Sequence, residues 1–300
     1  MTARETNKSR RRFLTQGALL GGSLALAPSL LAQESKVGKT TEPVLRVSKV
    51  ETPRRDVAAP PHPLDPALKI AYSSLDQIRS GIQDYTAVVA KREQINGVLG
   101  DYEYMGVKIR NRKVQNGKVV VPFSVYLAFL GPAAVKGREV IYVENANSGN
   151  IVAHEGGMKG RFLPTVNLDP NGMMAMRGQR YPITDMGIEN LVVKLIEKGE
   201  RDKKQGPCGV EFHKGAKVRD RSCTVLTVRH AEQRPCFDFC EAQIFIDDEL
   251  NIPIRYCAYE WPRTQGGEKQ LLEEYTYMKV KTNVGLKDID FDPKNPAYGF

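Results

Sequence analysis

Tryptophan and histidine are scarce in this chain of 300 residues, which has one tryptophan, Trp261, and four histidines, His62, His154, His213 and His230. No two histidines stand at the H-x-H or H-E-x-x-H spacing that converges ligands on one ion, so no metal site is expected. A G-x-S-x-G elbow is missing, and Ser148, between Asn147 and Gly149, reads as a turn residue rather than a nucleophile. Long apolar runs are absent too. The nearest, Gly17 to Leu31, falls short of the roughly 20 residues that cross a bilayer as a helix. Acids are fewer than bases, 35 against 44, for a formal charge of +9. Residues 1–32 carry five of those bases and one acid, leaving +5 elsewhere. Without a basic stripe, no nucleic-acid partner is expected. What is present, 41% hydrophobic and 26% charged residues, is the composition of a globular chain with a core.

Ser9-Arg10-Arg11-Arg12-Phe13-Leu14-Thr15, then the soft apolar run and Ala32, read as a twin-arginine signal peptide over 1–32, with Arg10 and Arg11 as its receptor-read pair. Export across the cytoplasmic membrane, to the periplasm or cell envelope, is the expectation. The next stretch, 33–63, has five prolines, interleaved charges and no apolar period, and reads as a Pro-rich flexible linker; an edge strand at Val44–Val47 is the alternative. Gly38-Lys39-Thr40 resembles the end of a phosphate-binding loop, but Gln33 stands where that loop needs glycine.

Residues 64–300 are expected to form one domain. Ala67, Ile70, Ala71, Leu75 and Ile78 recur at helical spacing, predicting a helix over 66–80 with Asp65 as N-cap, Pro66 at its first position and Gly81 at its end. Strand-like segments follow at 85–94, 102–114, 119–130, 139–144 and 151–154, separated by Asn96-Gly97, Asn116-Gly117, Gly131-Pro132 and similar turn pairs. The segment 156–186 breaks the pattern with glycines, prolines and methionines. Ile188, Leu191, Val192, Leu195 and Ile196 predict a second helix ending near Gly199, before strands at 222–230, 236–246, 253–261 and 270–281. The expected fold class is α+β, mainly β: one long, curled antiparallel sheet of about eight or more strands packed on one or two helices.

Particular stretches carry a resemblance. Pro122-Phe123-Ser124-Val125-Tyr126-Leu127, Gly137-Arg138-Glu139-Val140-Ile141-Tyr142 and Ile246-Asp247-Asp248-Glu249-Leu250-Asn251-Ile252-Pro253 are similar to strands of the LolA-like superfamily, which contains lipoprotein carriers and periplasmic sensor subunits. The closing motifs, Leu272-Glu273-Glu274-Tyr275-Thr276-Tyr277, Asn283-Val284-Gly285-Leu286 and Asn295-Pro296-Ala297-Tyr298-Gly299-Phe300, resemble a planctomycete-type family of exported proteins of unknown function. The resemblance implies a half-open barrel and a binding role without a cofactor.

All five cysteines lie beyond residue 207. An exported chain permits disulfides, and the hairpin through 248–251 sets Cys240 near Cys257; Cys208 with Cys223 is the weaker second pair. A Cys nucleophile with His230, giving an envelope hydrolase, lacks an orienting third residue. Asp288, Asp290 and Asp292 alternate like a calcium loop, but Pro293 occupies the required glycine position. The strand 123–130 is apolar on both faces. One face would meet the helix and the other line a cavity, so Phe123, Tyr126 and Phe129 are candidate lining residues, with Met173, Met174 and Met176 as adaptable caps. The preferred function is a non-enzymatic exported protein holding a lipid or lipoprotein acyl group; the alternative is a closed sensor or scaffold module that binds another envelope protein.

Overall fold

The computed structural model of the protein describes residues 61–160 and 162–300. The stretch read as a signal peptide, with Arg10 and Arg11, and nearly all of the stretch 33–63 read as a linker lie outside the described residues. The last residues of that stretch are inside: the His62 backbone N–H donates to Asp65 at 2.8 Å and its ring faces the Gly206 carbonyl.

The chain opens with α1 (Asp65–Gly81). A meander follows: β1 (Asp84–Ile95), β2 (Val98–Leu99), β3 (Glu103–Arg110), β4 (Lys113–Gln115), β5 (Lys118–Val121), β6 (Ser124–Gly131), β7 (Glu139–Val143) and β8 (Ile151–His154). A single turn of helix, α2 (Gly157–Gly160), and β9 (Val166–Leu168) lead into α3 (Ile188–Lys203). The chain then runs through β10 (Gly209–Val218), β11 (Arg221–Arg229), β12 (Glu241–Asp247), β13 (Pro253–Glu260) and β14 (Gln270–Thr282).

Twelve strands form one antiparallel sheet in the order β10-β11-β12-β13-β14-β1-β3-β6-β7-β8-β9, with β2 attached to β1. β10 and β9 are its two edges, so the sheet does not close into a barrel. The first and last halves of the meander join in the middle, where β1 pairs with β14 along Tyr85↔Thr282 to Glu93↔Glu273. One face carries α1 and α3 and both main cores, one centred on Ile78, Val89, Ile109, Val125 and Val192, the other on Leu68, Leu226, Ile244 and Ala258. Fold class and the single long sheet agree with the sequence reading.

Local details differ from it for identifiable reasons. Leu64, not Asp65, is the N-cap of α1; Asp65 lies in the first turn, bonded to His62 and paired with Lys203. The long strand readings 102–114 and 119–130 each break in two, and their inner ends pair as the separate β4–β5 hairpin. The second helix runs past Gly199 to Lys203. This glycine is a contact rather than a stop, since a Cβ there would stand 2.9 Å from Leu68 of α1. β10 was not visible in the sequence. It is an edge strand whose residues are mostly exposed, so burial imposes no alternating pattern.

Candidate functional site

The concave face does not fill with side chains. Between it, α3 and the segment 163–187 lies a cavity of about 790 Å³, within the roughly 300–1,000 Å³ range of small-molecule sites. Strands as distant in the sheet as β8 and β13 line it, so the sheet wraps around this space. The roof is set by the start of α3. Gly187 precedes it at φ 109°, where a Cβ would press on the Tyr85 hydroxyl, and that buried hydroxyl accepts the Ile188 N–H at 2.8 Å. The first helical amide is thereby satisfied by a residue of β1. Leu191, Lys194 and Leu195 then face the cavity.

The wall has two chemistries. Over β6 to β9 it is mainly apolar, with Leu127, Phe129, Val140, Ile151, Ala153 and Leu168, interrupted by His154 at the end of β8 and the adjoining Arg138–Glu155 pair. Over β13, β14, β1 and β3 it carries Tyr256, Glu273, Tyr275, Lys91, Glu93 and Glu103. Glu93 and Glu273 face each other across the β1–β14 pair, and the Tyr275 hydroxyl donates to both, at 3.3 Å to Glu273. Glu273, 1% exposed, also accepts from Arg180 Nε at 3.1 Å and the Tyr181 hydroxyl at 3.2 Å. Lys91 bridges Glu103 at 2.9 Å and Glu93 at 3.5 Å and donates to Gln179. Burial, reinforced by Glu273 and Glu93, drives the Tyr275 phenol far above its ordinary range; burial and Glu273 do the same to Tyr181. Burial would lower the Arg180 pKa, but the Glu273 charge together with Tyr181 and Tyr275 outweighs it and raises it. These phenols are hydrogen-bond donors, and the two cations are engaged.

Of the six candidate cavity residues, the structure brings Phe129 and Met174 to the cavity. Met174 and Met173 are largely exposed, and neither Met173 nor Met176 lines the space. Phe123 packs at the margin of the core against Tyr142. Tyr126 points to the opposite face, where its ring stacks on Tyr298 at 4.0 Å and its hydroxyl donates to Glu139 at 2.7 Å. The expected division of β6 between helix and cavity is therefore corrected: helices and cavity share one face, and the chain's last residues cover the other. Sequence reasoning missed the polar wall, although acids alternating with aromatics in Glu273-Glu274-Tyr275 are an unusual pattern for a central strand.

The cysteine pairings are also corrected. All five thiols are free. The hairpin turn pairs Ile246 with Pro253 and, past a one-residue bulge at Phe245, Gln243 with Cys257, so neither register sets Cys257 opposite Cys240, whose amide bonds to Tyr259. Cys223 pairs with Ala216, whereas Cys208 sits just before Gly209, which pairs with Arg229 at the other end of the β10–β11 ladder. Burial pushes the Cys208 and Cys257 thiols up to about 11, away from thiolate reactivity. His230 is enclosed beside Phe237 at 3.8 Å with its Nε2 on Asp202 at 3.1 Å. Asp288 and Asp290 are ion-paired to Arg110 and Lys108, and Asp292 accepts the Lys294 N–H.

Residues 82–300 match the model of a family described as protein of unknown function (DUF1571), and the chain belongs to that family. No curated protein matches the sequence. Among solved structures, the chain is similar to a DUF1329 family protein from Desulfovibrio piger, at 11% identity and TM-score 0.38, covering 77% of this chain and 98% of that one. It is similar to the lipoprotein LppX of Mycobacterium tuberculosis at 16% identity and TM-score 0.38, covering 74% and 100%. A LolA superfamily protein from Nitrosomonas europaea shows 11% identity and TM-score 0.31, covering 75% and 97%.

Proposed function

We propose that this is an exported envelope protein that holds the acyl chain of a lipid or lipoprotein without catalysing a reaction. The observation that supports the reading is the cavity of about 790 Å³, whose wall over β6 to β9 is mainly apolar and whose roof belongs to the same chain. An acyl chain needs a preformed, dry trough. Each buried methylene contributes about 0.8 kcal/mol, so about ten supply roughly 8 kcal/mol before association costs, enough for detectable binding. The twin-arginine motif at Arg10 and Arg11 supports delivery to the compartment where such ligands occur.

The test is titration with a fluorescent fatty acid at micromolar concentration. Wild-type protein is expected to bind, Phe129→Leu to bind slightly more weakly, and Phe129→Asp, which sets a charge in the apolar wall, not to bind. No binding by the wild type removes the reading. The alternative, a module that binds another envelope protein, is favoured by exposed apolar side chains that adjoin in sequence the cavity-lining Leu163 and Met174, with Phe162 and Met173 about four-fifths or more exposed. Stable capture of one envelope protein by the lipid-free chain would support it.

A further inference from the structure

One group in the cavity wall is unexplained. Tyr256, on β13, is 3% exposed and lines the cavity, and among the described residues its hydroxyl makes no hydrogen bond of ordinary geometry, the Glu273 carboxylate standing beside it as its one neighbouring acceptor. A buried hydroxyl without a partner is costly, on the order of 1–3 kcal/mol, and groups of this kind are rare unless something else satisfies them. Its neighbours are satisfied: Tyr275 is held by Glu93 and Glu273, Tyr181 by Glu273, Lys91 by Glu93 and Glu103, and Arg180 by Glu273 and the Gln94 carbonyl. The polar wall thus offers an incoming ligand one open hydroxyl and no uncommitted cation. Burial, with Glu273 beside it, keeps that phenol protonated and a donor.

We infer that the Tyr256 end of the cavity is a head-group subsite for an uncharged, oxygen-bearing group, an ester or amide carbonyl or a hydroxyl, with the attached acyl chain lying along β6 to β9. This rests on the acyl-binding reading and narrows it. Anionic heads are disfavoured there by three carboxyl groups, Glu93, Glu103 and Glu273, whose cationic partners are already engaged. A free fatty acid would instead turn its carboxylate toward Arg177, an exposed residue of the cavity wall, since Lys194 is paired with Asp185.

Two probes with one chain length separate the cases, 1-monopalmitoylglycerol and palmitate, titrated against wild type and Tyr256→Phe, with the unliganded melting temperature of each. The phenylalanine variant removes an unpartnered hydroxyl and keeps the ring, so its melting temperature is expected to be unchanged or higher. Its affinity for monopalmitoylglycerol is expected to fall about fivefold, the size of one neutral hydrogen bond, and its affinity for palmitate to stay the same. Equal loss for both probes, no loss for either, or a lower melting temperature overturns the subsite while leaving acyl binding intact. If neither probe binds wild type, the acyl reading fails and the subsite with it.

Discussion

The two faces of the sheet at β6 are both largely apolar and end in opposite states. On the convex face, Tyr126 and Ile141 are sealed by the chain's own last residues: Phe291 is 4% exposed, Tyr298 stacks on Tyr126, and Lys108 and Arg110 pair with Asp290 and Asp288. On the concave face, Leu127 and Phe129 look into a space that α3 roofs and leaves unfilled. Apolar surface without a cover is costly in water, so what distinguishes the faces is where the cover comes from. The convex face takes it from the chain, fixed by ion pairs and a stack. The concave face is completed, on the proposed reading, by a ligand.

That contrast is open to attack from the convex side first. Phe291→Ala removes the ring that closes the cover, beneath the Arg110 guanidinium at 5.0 Å, and should lower stability by about 3 kcal/mol in denaturant titration while leaving acyl affinity as it was. Loss of affinity together with stability would mean that the faces are not independent. On the concave side, Ala153→Trp fills the trough. It should weaken fatty acid binding at least tenfold with little change in melting temperature; unaltered binding would place the ligand elsewhere.

A smaller effect comes from the ion pairs. Burial would raise the Asp290 pKa, but the Lys108 hydrogen bond and charge, together with the Lys287 N–H and charge, overcome it and hold the carboxyl below its ordinary value of 3.8. The stability it adds is therefore present above about pH 4 and lost as pH falls through the lowered folded value. Asp290→Asn should cost less than about 1 kcal/mol at neutral pH and make the acid limb of the stability curve less steep; an unaltered limb would remove Asp290 from the cover. The smallest expected effect is none at all. With five free thiols, adding a reductant should leave the melting temperature unchanged, whereas a fall on reduction would reveal a disulfide that this register does not allow.

Much of the architecture was legible because burial writes a period into the sequence. The spacing of Ala67, Ile70, Leu75 and Ile78 gave α1, and Asn96-Gly97 and Asn116-Gly117 gave hairpins, with both asparagines at positive φ in the structure. Where burial is weak or indirect the signal faded. Exposed β10 has no alternation to read, and Gly199 looks the same in sequence whether it ends a helix or admits Leu68. The hairpin register that sets Cys257 opposite Gln243 rather than Cys240 depends on pairing that no local pattern records. At the site, an apolar strand was visible but not which face would be covered. That is decided by residues more than 150 positions away, Phe291 and Tyr298, and the Glu93–Glu273 wall exists only once β14 returns to pair with β1.

The most direct test of the central claim, that the concave face is completed by an acyl ligand, is native mass spectrometry of the protein purified from its own host, in wild-type and Ala153→Trp forms. The expected result is an added lipid mass on the wild type that organic extraction removes and that is absent from Ala153→Trp. A wild-type protein that carries only its own mass, or an identical adduct on both forms, would contradict it.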